Sequence, residues 1–276
     1  MLENNLELSC HPIILKANCP HPLGFREHLL PPQGAHLPKT FKIIPPNHTV
    51  KNIKGSQMED YQEEFIEFLV QTGALRFGEF RLKSDRISPY FFDAGQFNSG
   101  EDVDRLGYFY ASAFQELRDE VTIVFGPAYK GIPICVSTAI ALKRSFNVSS
   151  YYSFNRKEHK SHGEGGWVVG RIPTEEDKIV IVDDVITEGT TKIETIQRLR
   201  DTSSAEILGL IVALDRKERK PDGESASRTL AQTTGIEVQS IVTIYEVVDY
   251  LAARSVNGKE KHLSNVQDYL QRYGET

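Results

Sequence analysis

Residues 178–191 read KIVIVDDVITEGTT. Ile179, Val180, Ile181 and Val182 form a short β-branched run, the pattern of a strand buried on both faces. Two adjacent carboxylates, Asp183 and Asp184, end the run. A loop of Thr187, Glu188, Gly189, Thr190 and Thr191 follows, and helical periodicity runs from about residue 192 to 200. A strand, two acids and a small-residue turn into a helix N-terminus point to a sugar-phosphate site. The unpaired N–H groups and positive dipole end of the helix suit a phosphate. Gly189 lets the backbone come close, and the threonine hydroxyls add donors. The carboxylates accept hydrogen bonds from two adjacent ribose hydroxyls. A strand-end acid pair alone is common in α/β proteins; four apolar residues, two acids, two apolar residues and then T-x-G-T is far more specific.

Working outward, apolar runs at 121–125, 148–154, 207–214 and 238–244 read as further strands, with a helix at 132–144. This alternation predicts a parallel, doubly wound α/β sheet. Ligands in such sheets bind outside the carboxyl ends of the strands, where Gly126, Asp183 and Asp215 fall. Upstream, helical spacing covers 59–72 and 102–117, and alternation in 77–95 reads as a hairpin. Two closing helices are predicted at 246–254 and 261–273.

Two more segments carry chemistry. Gly126-Pro127-Ala128-Tyr129-Lys130-Gly131 directly follows a strand. Its glycines allow a tight turn whose amides, with Lys130, suit a diphosphate, although as a bare motif it serves equally as a structural turn. The second segment, 155–166, reads NRKEHKSHGEGG. Arg156, Lys157, Lys160 and His162 make it basic, and three glycines suit a mobile lid. Cations on such a lid would neutralise the charge that grows on a departing pyrophosphate.

The 276-residue chain has a net charge of −6, which disfavours general nucleic-acid binding. No run reaches the length of a membrane span, no secretory signal is expected, and three cysteines make no disulfide framework. A soluble intracellular protein is expected. Residues 1–57 differ from the rest: they hold eight of the 13 prolines, and six Lys/Arg against three Asp/Glu give them +3, leaving −9 for 58–276. They read as an irregular or disordered extension. Cys10-His11 and Cys19-Pro-His21 are spaced too widely for a zinc knuckle. The functional domain is expected to start at Met58.

The acid-pair stretch resembles the phosphoribosyl-pyrophosphate (PRPP) motif of the type I phosphoribosyltransferases. Across 58–276 the chain resembles orotate phosphoribosyltransferase, through RISPYFFDAG, FGPAYKGIP, FNRKEHKSHGEGG, VIVDDVITEGTT and ALDRKER. The resemblance implies the type I phosphoribosyltransferase fold, a central mostly parallel sheet flanked by helices, with a small N-terminal hood. It places the hood mainly in 58–100, the core mainly in 101–254 and C-terminal helices in 245–273. It implies transfer of the phosphoribosyl group of PRPP to orotate in pyrimidine biosynthesis, with Mg²⁺ held mainly through PRPP and water. A cytoplasmic homodimer is implied, in which the 155–166 loop completes the neighbour's site.

By the same resemblance, Lys83, Tyr129, Lys130, Arg156, Lys157, Lys160 and His162 bind PRPP, with Lys160 foremost in catalysis beside Arg156 and His162. Asp183 and Asp184 match the ribose-hydroxyl pair. Val185, Ile186, Thr187, Glu188, Gly189, Thr190 and Thr191 match the rest of the PRPP cradle. Phe91, Phe92, Thr187 and Arg216 match orotate contacts. Two residues depart from the pattern: Asp85 stands where glycine is common, and Glu188 where a small residue is usual. Transfer to another base, or a non-catalytic PRPP-binding regulator, are the competing readings. No second domain for decarboxylating the product is expected.

Overall fold

The computed structural model describes residues 58–82, 84–157, 166–186, 189–220, 222–254 and 260–275, without the side chain of Glu116. Residues 1–57, Lys83, Lys160, His162, Thr187 and Glu188, singled out above, lie outside the described residues. In chain order the elements are α1 (Asp60–Gln71), β1 (Leu75–Arg81), β2 (Ile87–Phe92), α2 (Gly100–Ala113), β3 (Ile123–Gly126), α3 (Gly131–Phe146), β4 (Tyr151–Asn155) and β5 (Val168–Gly170). They continue with β6 (Lys178–Ile186), α4 (Thr190–Thr202), β7 (Glu206–Asp215), α5 (Ala226–Thr234), β8 (Glu237–Thr243), α6 (Ile244–Ala253) and α7 (Glu260–Tyr273).

The main sheet has the order β5-β4-β3-β6-β7-β8. Its members run parallel except β5, which pairs antiparallel with β4 at one edge. Side-chain alternation divides the core between two faces. Val124, Val180, Val182, Ile211 and Ala213 join one apolar cluster, which also includes Phe65 of α1, Leu106 of α2, Leu142 of α3 and Val247 of α6. Ile123, Phe125, Ile179, Ile181, Leu210 and Val212 join the other, with Ile196 and Leu199 of α4 and Leu230 of α5. Each such buried aliphatic side chain contributes about 1.5–3 kcal/mol, so both faces of β6 fix its register. β1 and β2 form a separate antiparallel hairpin. It is not cored separately: Tyr90 and Phe92 belong to the first cluster, together with Tyr269 of α7.

Several boundaries differ from the sequence expectation. The helix expected over 102–117 stops at Ala113 and tightens into a 3₁₀ turn, Gln115–Asp119, where Gln115 takes a φ of +39°. The strand expected from 148 starts at Tyr151, because Asn147 closes α3 in the left-handed conformation. β6 does not end at Val182 but carries both acids and continues to Ile186, paired with β7 throughout. Neither β5 nor α5 was expected. With β5 antiparallel at one edge, the sheet is mostly parallel, as the resemblance implies.

Candidate active site

The carboxyl ends of β3, β6 and β7 meet on one side of the sheet, and the first two carry the acid pair and the lysine loop. Asp183 is buried on β6. Its carbonyl oxygen accepts from the Tyr110 hydroxyl at 2.7 Å, and its Oδ1 accepts from the Asp184 amide at 2.9 Å. Its Oδ2 accepts from Lys192 Nζ at 2.7 Å. Burial pushes the Asp183 carboxyl above its usual range; Lys192 opposes that shift and neighbouring Asp184 adds to it. Asp184 Oδ1 accepts from the Val185 amide, and its Oδ2 lies 3.2 Å from Lys130 Nζ. Val185 is half-buried and Ile186 is buried in the second apolar cluster.

Lys130 reaches the acids because the β3–α3 turn is tight. A Cβ on Gly126 would lie 1.9 Å from the Gly131 carbonyl oxygen, so the loop ends are in backbone contact and neither admits a side chain. The Ala128 amide donates to Asn155 Oδ1 at 2.8 Å, which ties this loop to β4. Tyr129 is exposed, with Lys157 Nζ 4.6 Å from its ring centre. The sequence motif therefore places its lysine against the acid pair rather than forming a turn alone.

α3 and α4 start beside these groups. Neither has an acid in its first turn, and among the described residues neither N-cap, Lys130 or Gly189, gives a side-chain cap. By contrast, α2 and α6 are closed by Ser99–Asp102 and Thr243–Glu246 capping boxes. Gly189 begins α4 at a φ of +82°, and Thr190 and Thr191 are exposed at its head. Two uncapped helix ends next to lysines form a donor set suited to a polyanion.

The basic loop leaves from the sheet edge. β4 and β5 pair through Asn155 and Val168, and the Arg156 amide donates to the Trp167 carbonyl at 2.8 Å. The segment between them is therefore the connection of an antiparallel hairpin. Arg156 Nε is buried with no hydrogen-bond partner among the described residues.

The groups matched to base recognition are placed differently from one another. Phe91 and Phe92 point to opposite faces of β2. Phe92 is buried edge-on to Phe97, while Phe91 is half-buried, stacks on Phe80 and lies under Arg76. Arg216, buried just past β7, donates through Nε and Nη2 to Glu218 Oε1 at 3.0 and 2.6 Å, and through Nη2 to Ser88 Oγ at 3.1 Å. Its guanidinium lies 4.3 Å from the Tyr90 ring centre. Tyr90 Oη also donates to Glu218 Oε1, so Glu218 joins the hairpin to the end of β7.

Lys192, Asn155, Tyr110 and Glu218 were not singled out in sequence. Asn155 and Glu218 lay within quoted motifs; Lys192 and Tyr110 meet their partners through the fold.

Residues 99–249 match the family described as the phosphoribosyl transferase domain. The orotate phosphoribosyltransferase of Photobacterium profundum is 46% identical over 217 residues, covering 79% of this chain and 100% of that protein. That of Chromohalobacter salexigens is 45% identical over 230 residues, covering 79% and 97%. Among solved structures, the orotate phosphoribosyltransferase of Francisella tularensis superposes with a TM-score of 0.67 at 36% identity, covering 77% of this chain and 100% of that one.

Proposed function

The chain belongs to the orotate phosphoribosyltransferases, with the type I phosphoribosyltransferase fold, and on that premise we propose how it turns PRPP and orotate into orotidine 5′-phosphate and pyrophosphate. One observation carries the reading at this chain's own residues: the acid pair, Lys130 and two uncapped helix ends converge at one end of the sheet.

Asp183 and Asp184 accept the two ribose hydroxyls and fix the sugar, a positioning role rather than proton transfer. The head of α4, with Thr187, Glu188, Gly189, Thr190 and Thr191 and the preceding Val185 and Ile186, receives the 5-phosphate. Tyr129, Lys130 and Lys83 receive the diphosphate. Arg156, Lys157, Lys160 and His162 neutralise it as the C1–O bond breaks, with Lys160 foremost. The orotate nitrogen then attacks C1 of an oxocarbenium-like ribose. Phe91, Phe92 and Thr187 line the base, and Arg216 turns its donors to the base's oxygens.

Mg²⁺ favours hard oxygen donors and keeps much of its water. The carboxylates at hand, Asp183 and Asp184, are each already paired with a lysine, so the donor chemistry fits an ion held mainly by the oxygens of PRPP and water. Bound there, the metal neutralises and orients the diphosphate. We further propose a cytoplasmic homodimer in which the 155–166 hairpin loop serves the neighbouring site. Among the described residues, no helix is long and apolar enough to cross a membrane. The catalytic domain is taken as 58–276, with 1–57 an appendage to it.

Product chromatography after mixing orotate, PRPP and Mg²⁺ tests the reading. Orotidine 5′-phosphate should form, and Asp183→Asn/Asp184→Asn should reduce its rate by about 100-fold or more. A double variant as fast as the native chain would refute the site. Mixing Lys160→Ala subunits with that double variant should restore partial activity if loops are exchanged, and none if they are not.

A further inference from the structure

The two acids have two lysines, but the pairs are not alike. Lys130 keeps 53% of its side-chain surface exposed, against 15% for its partner Asp184. Lys192 and Asp183 are each only 12% exposed, 2.7 Å apart. Lys192 is the third residue of α4, near the positive end of the helix dipole, where a cation is disfavoured. No acid in that first turn offsets it, so it is Asp183, across the β6–α4 connection, that holds the ammonium there. Every polar atom of Asp183 beyond its amide is thereby engaged: Tyr110 at the carbonyl, the Asp184 amide at Oδ1 and Lys192 at Oδ2.

We propose that Lys192 is a positioning residue for the transfer reaction: it keeps Asp183 ionised and aimed as a hydroxyl acceptor, while exposed Lys130 is the lysine that leaves Asp184 for the diphosphate. This rests on the reading that Asp183 binds a ribose hydroxyl. A protonated Asp183 would present a donor where the ribose needs an acceptor, and two factors favour that proton: burial, and the charge of Asp184. Among the described residues, the charged or titratable groups facing Asp183 are Lys192 from α4, Asp184 on its own strand with Lys130 behind it, and Tyr110 from α2. Of these, Lys192 is the cation in direct contact. Its aliphatic stem is matched in length by methionine, and removing a cation from the head of α4 does not weaken the helix.

The test uses the full chain with Lys192→Met and Lys192→Arg. In steady-state assays with PRPP, orotate and Mg²⁺, Lys192→Met should lower kcat/KM for PRPP by about 10-fold or more at neutral pH, the scale of a lost hydrogen bond to a charged group. The acid limb of its pH profile should move to higher pH, the KM for orotate should stay put, and Lys192→Arg should restore the limb. A kcat/KM within about two-fold of native, or a loss uniform across pH and equal for both substrates, overturns the proposal. Carboxyl NMR of Asp183 reads the same coupling without turnover. Its titration midpoint should rise in Lys192→Met, and equal midpoints overturn the proposal. A native chain that consumes no orotate would instead refute the function, with the NMR comparison still deciding this inference.

Discussion

Lys130 and Asp184 stand 3.2 Å apart although they belong to different βα units, one at the start of α3 and the other near the end of β6. This contact joins the lysine loop to the acid pair. In the binding mode proposed above, PRPP divides the pair, taking the lysine with one end and the acid with the other. Lys130→Met should therefore raise the KM for PRPP by about 10-fold with little change in KM for orotate. The melting temperature should hardly move, because an ion pair with a half-exposed partner contributes less than about 1 kcal/mol. Substrate-resolved kinetics with a thermal melt check both.

The lysine is aimed by backbone contact between Gly126 and Gly131. Gly126→Ala would put a methyl group 1.9 Å from a carbonyl oxygen and 2.9 Å from Cys135 Cβ. The turn must open, at a cost of about 1–3 kcal/mol. Both a lower urea midpoint and a raised KM for PRPP are expected; a variant with native values for both would mean the turn can relax without moving Lys130.

Glu218 is the counterion of buried Arg216 and also holds Tyr90 and, at 3.8 Å, Arg86. Glu218→Ala leaves that guanidinium buried without its carboxylate, which should cost about 3–5 kcal/mol. Glu218→Gln keeps an acceptor and should cost less. Equilibrium unfolding of the two variants gives the order, and equal losses would contradict the role of the charge.

Asp177, just before β6, is buried and would be pushed up by burial. Hydrogen bonds outweigh that and hold its carboxyl below the usual range: from the Thr174 amide and hydroxyl, both at 2.9 Å, and from Thr122 at 3.1 Å, with Arg171 nearby. A depressed folded pKa contributes stability that is fully present above the unfolded value of about 3.9 and is lost as pH falls through the folded value. Asp177→Ala should cost about 1–3 kcal/mol at neutral pH. The gap to the native chain should shrink below about pH 4. A gap that stays constant through acid pH would show that the ionised form is not what is bound.

The local patterns of the sequence translated well because their physics is local. The β-branched run before Asp183 became a strand buried on both faces, and the two glycines of the lysine loop became a closed turn. What local pattern could not reach depends on partners distant in sequence. β5 is three residues long and exists through its pairing with β4. α5 packs mainly through Ala226 and Leu230, too sparse a stripe to mark a helix. A lysine opening a helix looks like ordinary surface charge, and Lys192 is distinguished only by the strand that places Asp183 under it. Asp85, an extra acid by comparison with the family pattern, adopts a φ of +62°, a backbone state that glycine takes freely and aspartate tolerates. Its carboxylate pairs at the surface with Arg81 at 3.0 Å, so its charge is met locally. Phe91 and Phe92, adjacent in sequence, face opposite ways because a strand alternates.

The central claim is that this chain's site takes PRPP and chooses orotate. Orotate absorbance followed on adding PRPP and Mg²⁺, with adenine, hypoxanthine and uracil as alternative bases, addresses it directly. Loss of the orotate signal with stoichiometric release of pyrophosphate is expected, and no pyrophosphate with the other three bases. Turnover of one of those bases with orotate left untouched would contradict it.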